Sequence, residues 1–398
     1  MKIVELGKFF PPNQFGGIEM ATESFARALA AHHEVTVICH NKDRVHDEET
    51  RDGFRLIRCG TEFVRYSQPV SLRMGRVLRD AKPDLILLHA PNFWGALIVE
   101  LYCPNVPVVV IHHADVQGRV ILRNLLRPLY RRIVRRSRLV IVASKRNVGR
   151  SVDLPKRLER VCELPLGVDE TAYELSSAER AQVEASKKEL FGDRVVVGFV
   201  GRFAWYKGLS VLLKAIRPLP EIRLLLVGDG SLRDQLEREA RELGVADRIR
   251  FVGHVTEAEK IKYFHMMDIF VLPSTHVTEA FGIVQIEAQF CGRPVIRTDL
   301  PTGVRDITIH GVTGLAVPAG DVDSLSDAIA NLSRDRALRE QFGRRGRERA
   351  FSHFSLGKFA TGLNAAVNTA LQSDRDLPEL PAGPTWLPKP EKRHAELS

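Results

Sequence analysis

The chain has 398 residues, a net charge of +9, 44% hydrophobic residues and 27% charged residues. This length exceeds one ordinary hydrophobic core, so we expect two domains, and the composition is that of a soluble globular protein. No stretch of about 18 apolar residues occurs, which argues against a membrane-spanning helix. The five scattered cysteines favour reduced thiols in a cytosolic protein over disulfides or a zinc site.

The first half of the chain alternates short apolar runs with helical patterns. Its start lacks the apolar segment and cleavage site of a signal peptide and is predicted to be a strand. Strands are predicted at 3–6, 34–39, 53–58, 85–88, 106–111 and 139–143, and a helix at 18–31. Such alternation predicts a parallel sheet with helices on both faces. We assign residues 1–170 to this first domain.

The second half repeats the alternation after a polar segment. Residues 171–193 carry no strand signal and are interpreted as a connector. Strands at 195–200, 222–227, 250–252, 269–272 and 294–297 then predict a second doubly wound domain over 194–352. A last helix at 353–372 is expected, with the first domain as a candidate packing partner. The tail at 373–398 is rich in proline and is predicted to be disordered.

Two glutamates follow the apolar run at 269–273. Glu279 and Glu287 lie eight positions apart and flank a Phe-Gly turn and the start of an apolar helix. Ligands of open α/β sheets bind at the carboxyl ends of strands. Backbone N–H groups at a helix start favour an anion, and carboxylates accept hydrogen bonds from hydroxyls, which suits a phosphate joined to a sugar. Alternatively, both glutamates are solvated surface charges.

A pair of cations follows the first strand of the second domain. Arg202 and Lys207 lie on the loop after Val200, five positions apart. Such a pair can converge on a diphosphate, with Arg as a planar fork and Lys as a point charge. Loops are often basic, so the pair becomes informative only together with the two glutamates.

The order and spacing of these motifs resemble glycosyltransferase family 4, whose two-Rossmann architecture is called GT-B. Further matching segments are Gly16-Gly17, 165–169, 228–230, 251–253 and 311–315. The resemblance covers residues 1–372. It implies an α/β fold of two doubly wound, Rossmann-like domains facing across a cleft, and an enzyme that transfers a hexose from a nucleotide sugar with retention.

The resemblance also implies a role for each matching residue. Arg202 and Lys207 would hold the diphosphate and stabilise its charge as it leaves. Glu279 would contact the donor sugar, and Glu287 would accept the ribose hydroxyls. The remaining implied donor contacts are Gly253 and His254 at the base, Phe281, Gly282 and Ile283 near the sugar and phosphate, and Gly16 and Gly17 from the first domain.

The family places a histidine of the first domain at the sugar side of the cleft, within residues 110–116. His113 is the better match, and His112 is then a buried histidine at the end of a strand. Both assignments remain open from the sequence. Asp115 either hydrogen-bonds one of the two rings or caps the following segment.

Some segments narrow the expected donor. Residues 302–306 depart from the double glycine and glutamate that the family often has there. Residues 300–304, 89–92 and 8–12 resemble the mannosyltransferase branch of polysaccharide assembly, which implies GDP-mannose as donor.

Of two Asp-x-Asp matches, which hold a metal in another glycosyltransferase fold, the one at 321–323 is interpreted as a helix N-cap and the one at 374–376 lies in the tail. No essential metal and no cofactor are therefore expected.

Most of the excess positive charge lies in one segment. Residues 116–152 contain no acid, and arginines recur every four residues from Arg119 to Arg135 among apolar side chains. Pro128 is expected to break or restart the helix. A basic amphipathic segment suits an anionic membrane surface, although such arginines also pair with carboxylates or cover the core. The predicted membrane-surface residues are Arg123, Arg127, Arg131, Arg132, Arg135 and Arg136.

These features predict a retaining mannosyltransferase of cell-surface polysaccharide synthesis. Its expected acceptor is a saccharide linked to polyprenyl diphosphate at the cytoplasmic face of the membrane, and nucleic acid is not an expected partner because no such module occurs. Three alternatives remain: a UDP-sugar-dependent transferase of the same fold, a nucleotide-sugar epimerase, and a non-catalytic protein that binds membranes or polyanions.

Overall fold

The structure is a computed structural model that describes residues 1–12, 17–65, 68–115 and 120–372. The predictions for Gly16 and for the tail at 373–398 fall outside these ranges. Within them, two parallel sheets are each covered by helices, which confirms the predicted pair of doubly wound domains.

The first domain is built around one sheet with a single antiparallel edge among its described strands. Its elements are β1 (Lys2–Leu6), α1 (Gly17–Ala30), β2 (Glu34–His40), β3 (Asp47–Arg51), β4 (Phe54–Cys59), β5 (Phe63–Arg65), β6 (Gln68–Val70), α2 (Met74–Asp80), β7 (Leu85–Ala90), α3 (Phe93–Tyr102), β8 (Val108–His112), α4 (Val120–Arg136), β9 (Leu139–Val142) and β10 (Val161–Glu163). The strand order of this sheet is β10-β9-β8-β7-β1-β2-β4-β3, within which only β3 runs antiparallel to its neighbour, while β5 and β6 form a separate antiparallel pair. The polar sequence of β3 gave no strand signal, because an exposed edge strand needs no apolar face.

Successive residues of the central strands serve opposite faces of this sheet. Ile3 and Leu87 belong to the core that includes Phe25 of α1. Val4 and Leu88 belong to the core on the other face, which α2, α3 and α4 cover. Side chains alternate between the faces of a strand, so a sheet buried on both sides requires near-continuous apolar strands.

The second domain repeats this plan with a fully parallel sheet. Its elements are α5 (Ser177–Phe191), β11 (Val195–Val200), α6 (Leu209–Ile216), β12 (Ile222–Val227), α7 (Arg233–Glu242), β13 (Ile249–Gly253), α8 (Glu257–Met266), β14 (Ile269–Leu272), α9 (Val284–Phe290), β15 (Val295–Thr298), α10 (Val304–Ile307), β16 (Gly314–Val317), α11 (Val322–Arg334) and α12 (Arg336–His353). The order is β13-β12-β11-β14-β15-β16. The segment interpreted as a connector holds α5, whose Val183 and Phe191 are buried in the second core.

The last described helix returns to the first domain. Helix α13 (Leu356–Leu371) packs along α1, and the ring of Phe359 lies 4.8 Å from that of Phe25, centroid to centroid. A β-carbon on Gly167 would come within 2.4 Å of Cβ of Phe359, so the chain between the domains passes close to this helix. Helix α13 therefore completes the first core from the far end of the sequence.

The prediction that Pro128 breaks its helix is wrong. Helix α4 continues from Val120 to Arg136 with Pro128 inside it. Proline in a helix interior costs about 3 kcal/mol because it removes a hydrogen bond and crowds the preceding turn. Tyr130, Ile133 and Val134 follow it and are fully buried, so tertiary packing outweighs the local cost.

The docking of α13 predicts a large effect for one truncation. Phe359→Ala removes a buried ring from the first core and is expected to lower the free energy of unfolding by about 3–5 kcal/mol. Urea unfolding measures this change. The matched control is Asn368→Ala, an exposed position of the same helix, with an expected effect within about 0.5 kcal/mol. Equal effects of the two changes would show that α13 does not contribute to the core.

Candidate active site

Two loops that are distant in sequence meet because their strands are neighbours. Strands β11 and β14 pair directly in the sheet, so their carboxyl ends lie side by side. The loop after β11 carries Lys207, and the loop after β14 carries Glu279. Nζ of Lys207 donates to Oε2 of Glu279 at 2.6 Å, across 72 positions of sequence.

This ion pair is buried. Lys207 is 8% exposed and Glu279 is 7% exposed. The hydroxyl of Ser274 donates to the same Oε2 at 2.8 Å, a contact that the sequence pattern did not predict. The alternative of a solvated loop charge at Glu279 is therefore wrong. Arg202 differs, because its exposed side chain makes no hydrogen bond or ion pair within the described part of the chain.

A glycine permits the close approach of the two loops. Gly208 has φ +68°, and a β-carbon there would lie 2.0 Å from the carbonyl oxygen of Pro273. Thr275 N donates to the carbonyl of Tyr206 at 2.8 Å and links the loops further. Only a residue without a side chain fits this position, so Gly208 keeps Lys207 beside Glu279.

Residues 302–306, the segment that departs from the family pattern, hold the turn after Glu279. The hydroxyl of Thr302 donates to the carbonyl of Glu279 at 2.7 Å, and Gly303 N donates to the carbonyl of Ala280 at 2.9 Å. Gly282 has φ +77°, and Ile283 directly precedes α9. Phe281 is buried, with its ring 6.5 Å from that of Phe354. The backbone of residues 281–283 thus has a defined conformation beside Glu279.

Glu287 lies inside α9 and is also buried rather than on the helix surface. Its Oε1 accepts hydrogen bonds from the hydroxyl of Tyr173 and from Nζ of Lys260, both at 2.9 Å. Burial lowers the pKa of Lys260, but Glu287 and Glu257 outweigh it, so this pKa lies above its usual value. Oε2 of Glu287 is buried and has no partner among the described residues. One oxygen therefore remains as an acceptor.

The expected base-binding backbone lies at the end of β13. Gly253 is buried and its carbonyl accepts from Gly228 N at 3.0 Å, whereas His254 is exposed. The guanidinium of Arg233 lies over the ring of Phe251, 5.2 Å from its centroid. A β-carbon added to Gly253 would lie 3.7 Å from Nη1 of Arg233, so this guanidinium lies close to the end of β13. Arg233 was not predicted, since a single arginine at a helix start has no distinctive pattern.

The two histidines after β8 have different environments. His112 is buried, with Nδ1 2.9 Å from the hydroxyl of Tyr130 and Nε2 3.4 Å from Asp115. Asp115 therefore contacts a ring, and it also accepts from the hydroxyl of Ser151. His113 is half-buried, and its Nε2 lies 3.0 Å from Nδ1 of His89. Gly17 is the first residue of α1, and no heavy atom lies within 4 Å of where its β-carbon would be.

The first domain contacts the turn that carries Glu279. A short helical turn at Lys145–Arg150 follows β9. Nδ2 of Asn147 donates to the carbonyl of Ala280 at 3.0 Å. Nε of Arg146 and the hydroxyl of Ser144 bind the two oxygens of Asp306, at 2.6 and 2.5 Å. These contacts join the two domains next to the candidate site, and no sequence pattern predicted them.

The basic segment is partly structural. Arg131 donates to the carbonyls of residues 152, 153 and 154, and Arg132 and Arg136 both pair with Glu100, at 3.1 and 2.5 Å. Arg135 is exposed and Arg127 is half-buried. The side chain of Arg123 lies outside the described part. The guanidinium groups of Arg131 and Arg136 are turned to the protein, and the assignment of the six arginines to a membrane surface stays a prediction.

The acidic pair at 321–323 has a structural role. Asp321 caps α11 by accepting from Ser324 N at 3.0 Å, as predicted. Among the described residues, no group of three potential metal ligands occurs. The absence of an essential metal remains a prediction, and residues 374–376 fall outside the description. No described helix has the length and apolar character needed to cross a bilayer.

The buried ion pair predicts a strong energetic coupling between its partners. Lys207→Met leaves Glu279 buried without its cation and is expected to destabilise the protein by about 3–5 kcal/mol. Adding Glu279→Gln removes that uncompensated charge, so the double variant should be more stable than Lys207→Met. A double-mutant cycle by urea unfolding measures the coupling. Additive costs would show that the two side chains do not form the pair.

Comparison with protein families agrees with the two-domain division. Residues 15–172 match the model described as Glycosyltransferase Family 4. Residues 182–349 match the model described as Glycosyl transferases group 1. The second match contains Arg202, Lys207, Glu279 and Glu287.

Several curated relatives extend over most of the chain. O-antigen chain mannosyltransferase C of Escherichia coli is 26% identical over 94% of this chain and 100% of its own length. Phosphatidyl-myo-inositol mannosyltransferase of Mycobacterium leprae is 32% identical over 72% of this chain and 73% of its own. The GDP-mannose-dependent alpha-(1-6)-phosphatidylinositol monomannoside mannosyltransferase of Mycolicibacterium smegmatis is 27% identical over 87% and 92%.

Solved structures share the fold. Sucrose-phosphate synthase from Thermosynechococcus elongatus superposes with a TM-score of 0.77 and 23% identity, over 92% of this chain and 98% of that one. Anabaena HepE in complex with UDP gives a TM-score of 0.75 and 20% identity, over 93% and 100%. With the two family matches and the relatives, these similarities show that the chain is an enzyme of the GT-B fold and belongs to glycosyltransferase family 4.

Proposed function

We propose that this glycosyltransferase moves mannose from GDP-mannose, with retention, to a lipid-linked saccharide during synthesis of a cell-surface polysaccharide or glycolipid. The observation that carries the proposal is the buried Lys207–Glu279 pair at the carboxyl ends of β11 and β14, on a loop that also carries Arg202, whose side chain has no partner among the described residues. The choice of mannose rests on the similarity to three mannosyltransferases, and the choice of GDP rests on the one among them that is GDP-mannose-dependent.

The cations act on the leaving group. The bond between the sugar's anomeric carbon and the diphosphate oxygen breaks, and the acceptor hydroxyl forms the new bond on the same face of the sugar. The hydroxyl proton passes to the departing phosphate. Arg202 and Lys207 stabilise the negative charge that develops there, in a site where Lys207 is already oriented by Glu279. Glu279 also accepts a hydrogen bond from a sugar hydroxyl.

Glu287 binds the ribose of the donor. Its buried Oε2 lacks a partner within the described residues, and a ribose hydroxyl supplies the missing donor. Tyr173 and Lys260 hold the other oxygen and prevent the carboxylate from rotating away. The backbone at Gly253 and His254 faces the base, and the backbone of Phe281, Gly282 and Ile283 faces the sugar and phosphate.

The role of Lys207 predicts a large loss of turnover. Lys207→Ala is expected to lower kcat by about 10²–10³, because the charge of the leaving diphosphate loses a donor in a water-poor site. The assay follows GDP release and glycosylated product from GDP-mannose. Lys214→Ala, an exposed lysine on α6, is the control and should retain wild-type kcat. A folded Lys207→Ala variant with unchanged kcat would eliminate this role.

Donor and reaction class are tested together. The enzyme is incubated with GDP-mannose, UDP-glucose or UDP-galactose, with and without a polyprenyl-linked saccharide. Transfer only from GDP-mannose and only with acceptor supports the proposal. Transfer from a UDP-sugar shows the alternative donor, conversion of the donor without acceptor shows an epimerase, and failure of every nucleotide sugar to bind by calorimetry shows a non-catalytic protein.

The acceptor is delivered from a membrane surface at the cytoplasmic face, and the solvent-facing stripe of α4 makes the contact. Leu125, Pro128, Arg132 and Arg135 recur at three and four positions and are all exposed, with Leu125 at 73%. Exposed leucine and arginine on one helix face suit an anionic bilayer. Each cation near such a surface contributes about 1 kcal/mol.

This stripe predicts the outcome of vesicle flotation. The double variant Arg132→Gln/Arg135→Gln should bind anionic vesicles at least tenfold more weakly than the wild type, and the deficit should shrink as salt rises. The matched control is Arg238→Gln/Arg241→Gln, two exposed arginines of α7 in the second domain, which should bind like the wild type. Equal binding of both double variants would exclude α4 as the membrane contact.

A further inference from the structure

A chain of three side chains leads from the middle of the first sheet to His113. Glu5 on β1 and His89 on β7 are both fully buried. Oε2 of Glu5 lies 3.2 Å from Nε2 of His89, and Nδ1 of His89 lies 3.0 Å from Nε2 of His113. The proposed transfer reaction gives no role to Glu5 or His89. An acidic residue in an otherwise apolar central strand nevertheless needs a physical reason.

The surroundings of Glu5 favour its neutral form. Among the described residues no lysine or arginine pairs with it, and Oε1 has no hydrogen-bond partner. A carboxylate buried without a cation and with one unpaired oxygen is strongly disfavoured, so the group takes up a proton instead. Burial accordingly raises the pKa of Glu5 well above its usual value. As a protonated acid, Glu5 has an O–H, and Nε2 of His89 is the acceptor within reach.

The direction of this first hydrogen bond determines the direction of the next one and the tautomer of His113. If Nε2 of His89 accepts, its proton is on Nδ1, which donates to Nε2 of His113. The proton of a neutral His113 is then on Nδ1, which makes no hydrogen bond within the described residues. Burial lowers the pKa of His89 to about 3 and that of His113 well below its usual range, so both rings are neutral near pH 7. The ring of Phe25 packs edge-on against His89 at 5.1 Å and fixes its plane.

We propose that Glu5 is a protonated acid which, through His89, holds His113 in the tautomer with hydrogen on Nδ1, so that His113 presents a hydrogen-bond donor, not a base, to the nucleotide sugar. Glu5 and His89 are thus positioning residues for His113. The ligand in this statement rests on the proposed function, whereas the tautomer does not. A hydroxyl oxygen of the sugar or a phosphate oxygen is the acceptor that such a neutral donor suits.

The first test reads the tautomers in the unliganded protein. Long-range proton–nitrogen correlation spectra of the ¹⁵N-histidine-labelled full chain at pH 7 distinguish hydrogen on Nδ1 from hydrogen on Nε2. His89→Gln and His113→Gln assign the signals. Hydrogen on Nδ1 is expected in both rings, and hydrogen on Nε2 of either ring would overturn the proposal. This result does not depend on any activity, so it stands even if the donor or acceptor is different.

The second test compares two replacements of Glu5. The amide of Glu5→Gln can still donate to His89, so the tautomers should persist and kcat with GDP-mannose should fall less than threefold. Glu5→Leu removes the donor, and kcat should fall about tenfold with loss of the single tautomer. Glu48→Gln, an exposed glutamate of β3, is the control with wild-type kcat. Equal losses for the Gln and Leu variants, or a lowered melting temperature with unchanged tautomers, would mean that Glu5 is only structural.

The pH dependence gives an independent readout. The titratable groups that act on His113 are His89 from β7 and His112 from β8, with Asp115 beyond His112 and Glu5 beyond His89. In His89→Gln, a carboxamide oxygen can accept from Nε2 of His113 and stabilise the charged ring. The pKa of His113 should therefore be higher in His89→Gln than in the wild type, as measured by the pH dependence of its ring nitrogen chemical shifts. Superimposable titration curves of His113 in the two proteins would contradict the proposed linkage.

Discussion

The candidate site depends on one buried ion pair between loops that only the sheet brings together. Lys207 and Glu279 neutralise each other at 2.6 Å in a place where either charge alone would be strongly disfavoured. Gly208 allows the two loops to touch, and Thr302 and Gly303 hold the backbone beyond Glu279. The pair thus links the two strand ends and orients a cation at the place where we propose that the donor diphosphate binds.

The other buried acids are neutralised in different ways, and the differences assign their tasks. Glu287 has Tyr173 and Lys260 on one oxygen and no described residue on the other, which leaves an acceptor for a hydroxyl. Asp306 is fully occupied by Ser144 and Arg146 and joins the two domains. Glu5 has no cation within the described part and is the acid that we propose to carry a proton. The presence of a cation and the presence of an unpaired oxygen together distinguish these three carboxyl groups.

Charge patterning alone does not tell which arginines of α4 face the solvent. A four-residue repeat of arginines around α4 places some of them toward the protein, where Arg131 binds backbone carbonyls and Arg136 pairs with Glu100. Periodicity locates a helix but does not tell which face is solvated when both faces carry cations. Pro128 was misjudged because a local breaker signal does not include the burial of the residues that follow it.

Near-continuous apolar strands and short polar motifs at their ends are local patterns, so they were enough to predict the two mainly parallel sheets, the family and a candidate site at the ends of β11 and β14. The antiparallel strand β3 was not predicted, since an edge strand lacks an apolar face. Which polar groups meet follows from the tertiary structure alone, as when Glu5, His89 and His113 align across neighbouring strands. Such partners are separated by tens of residues, and their distances follow from strand order and packing, which no local pattern encodes.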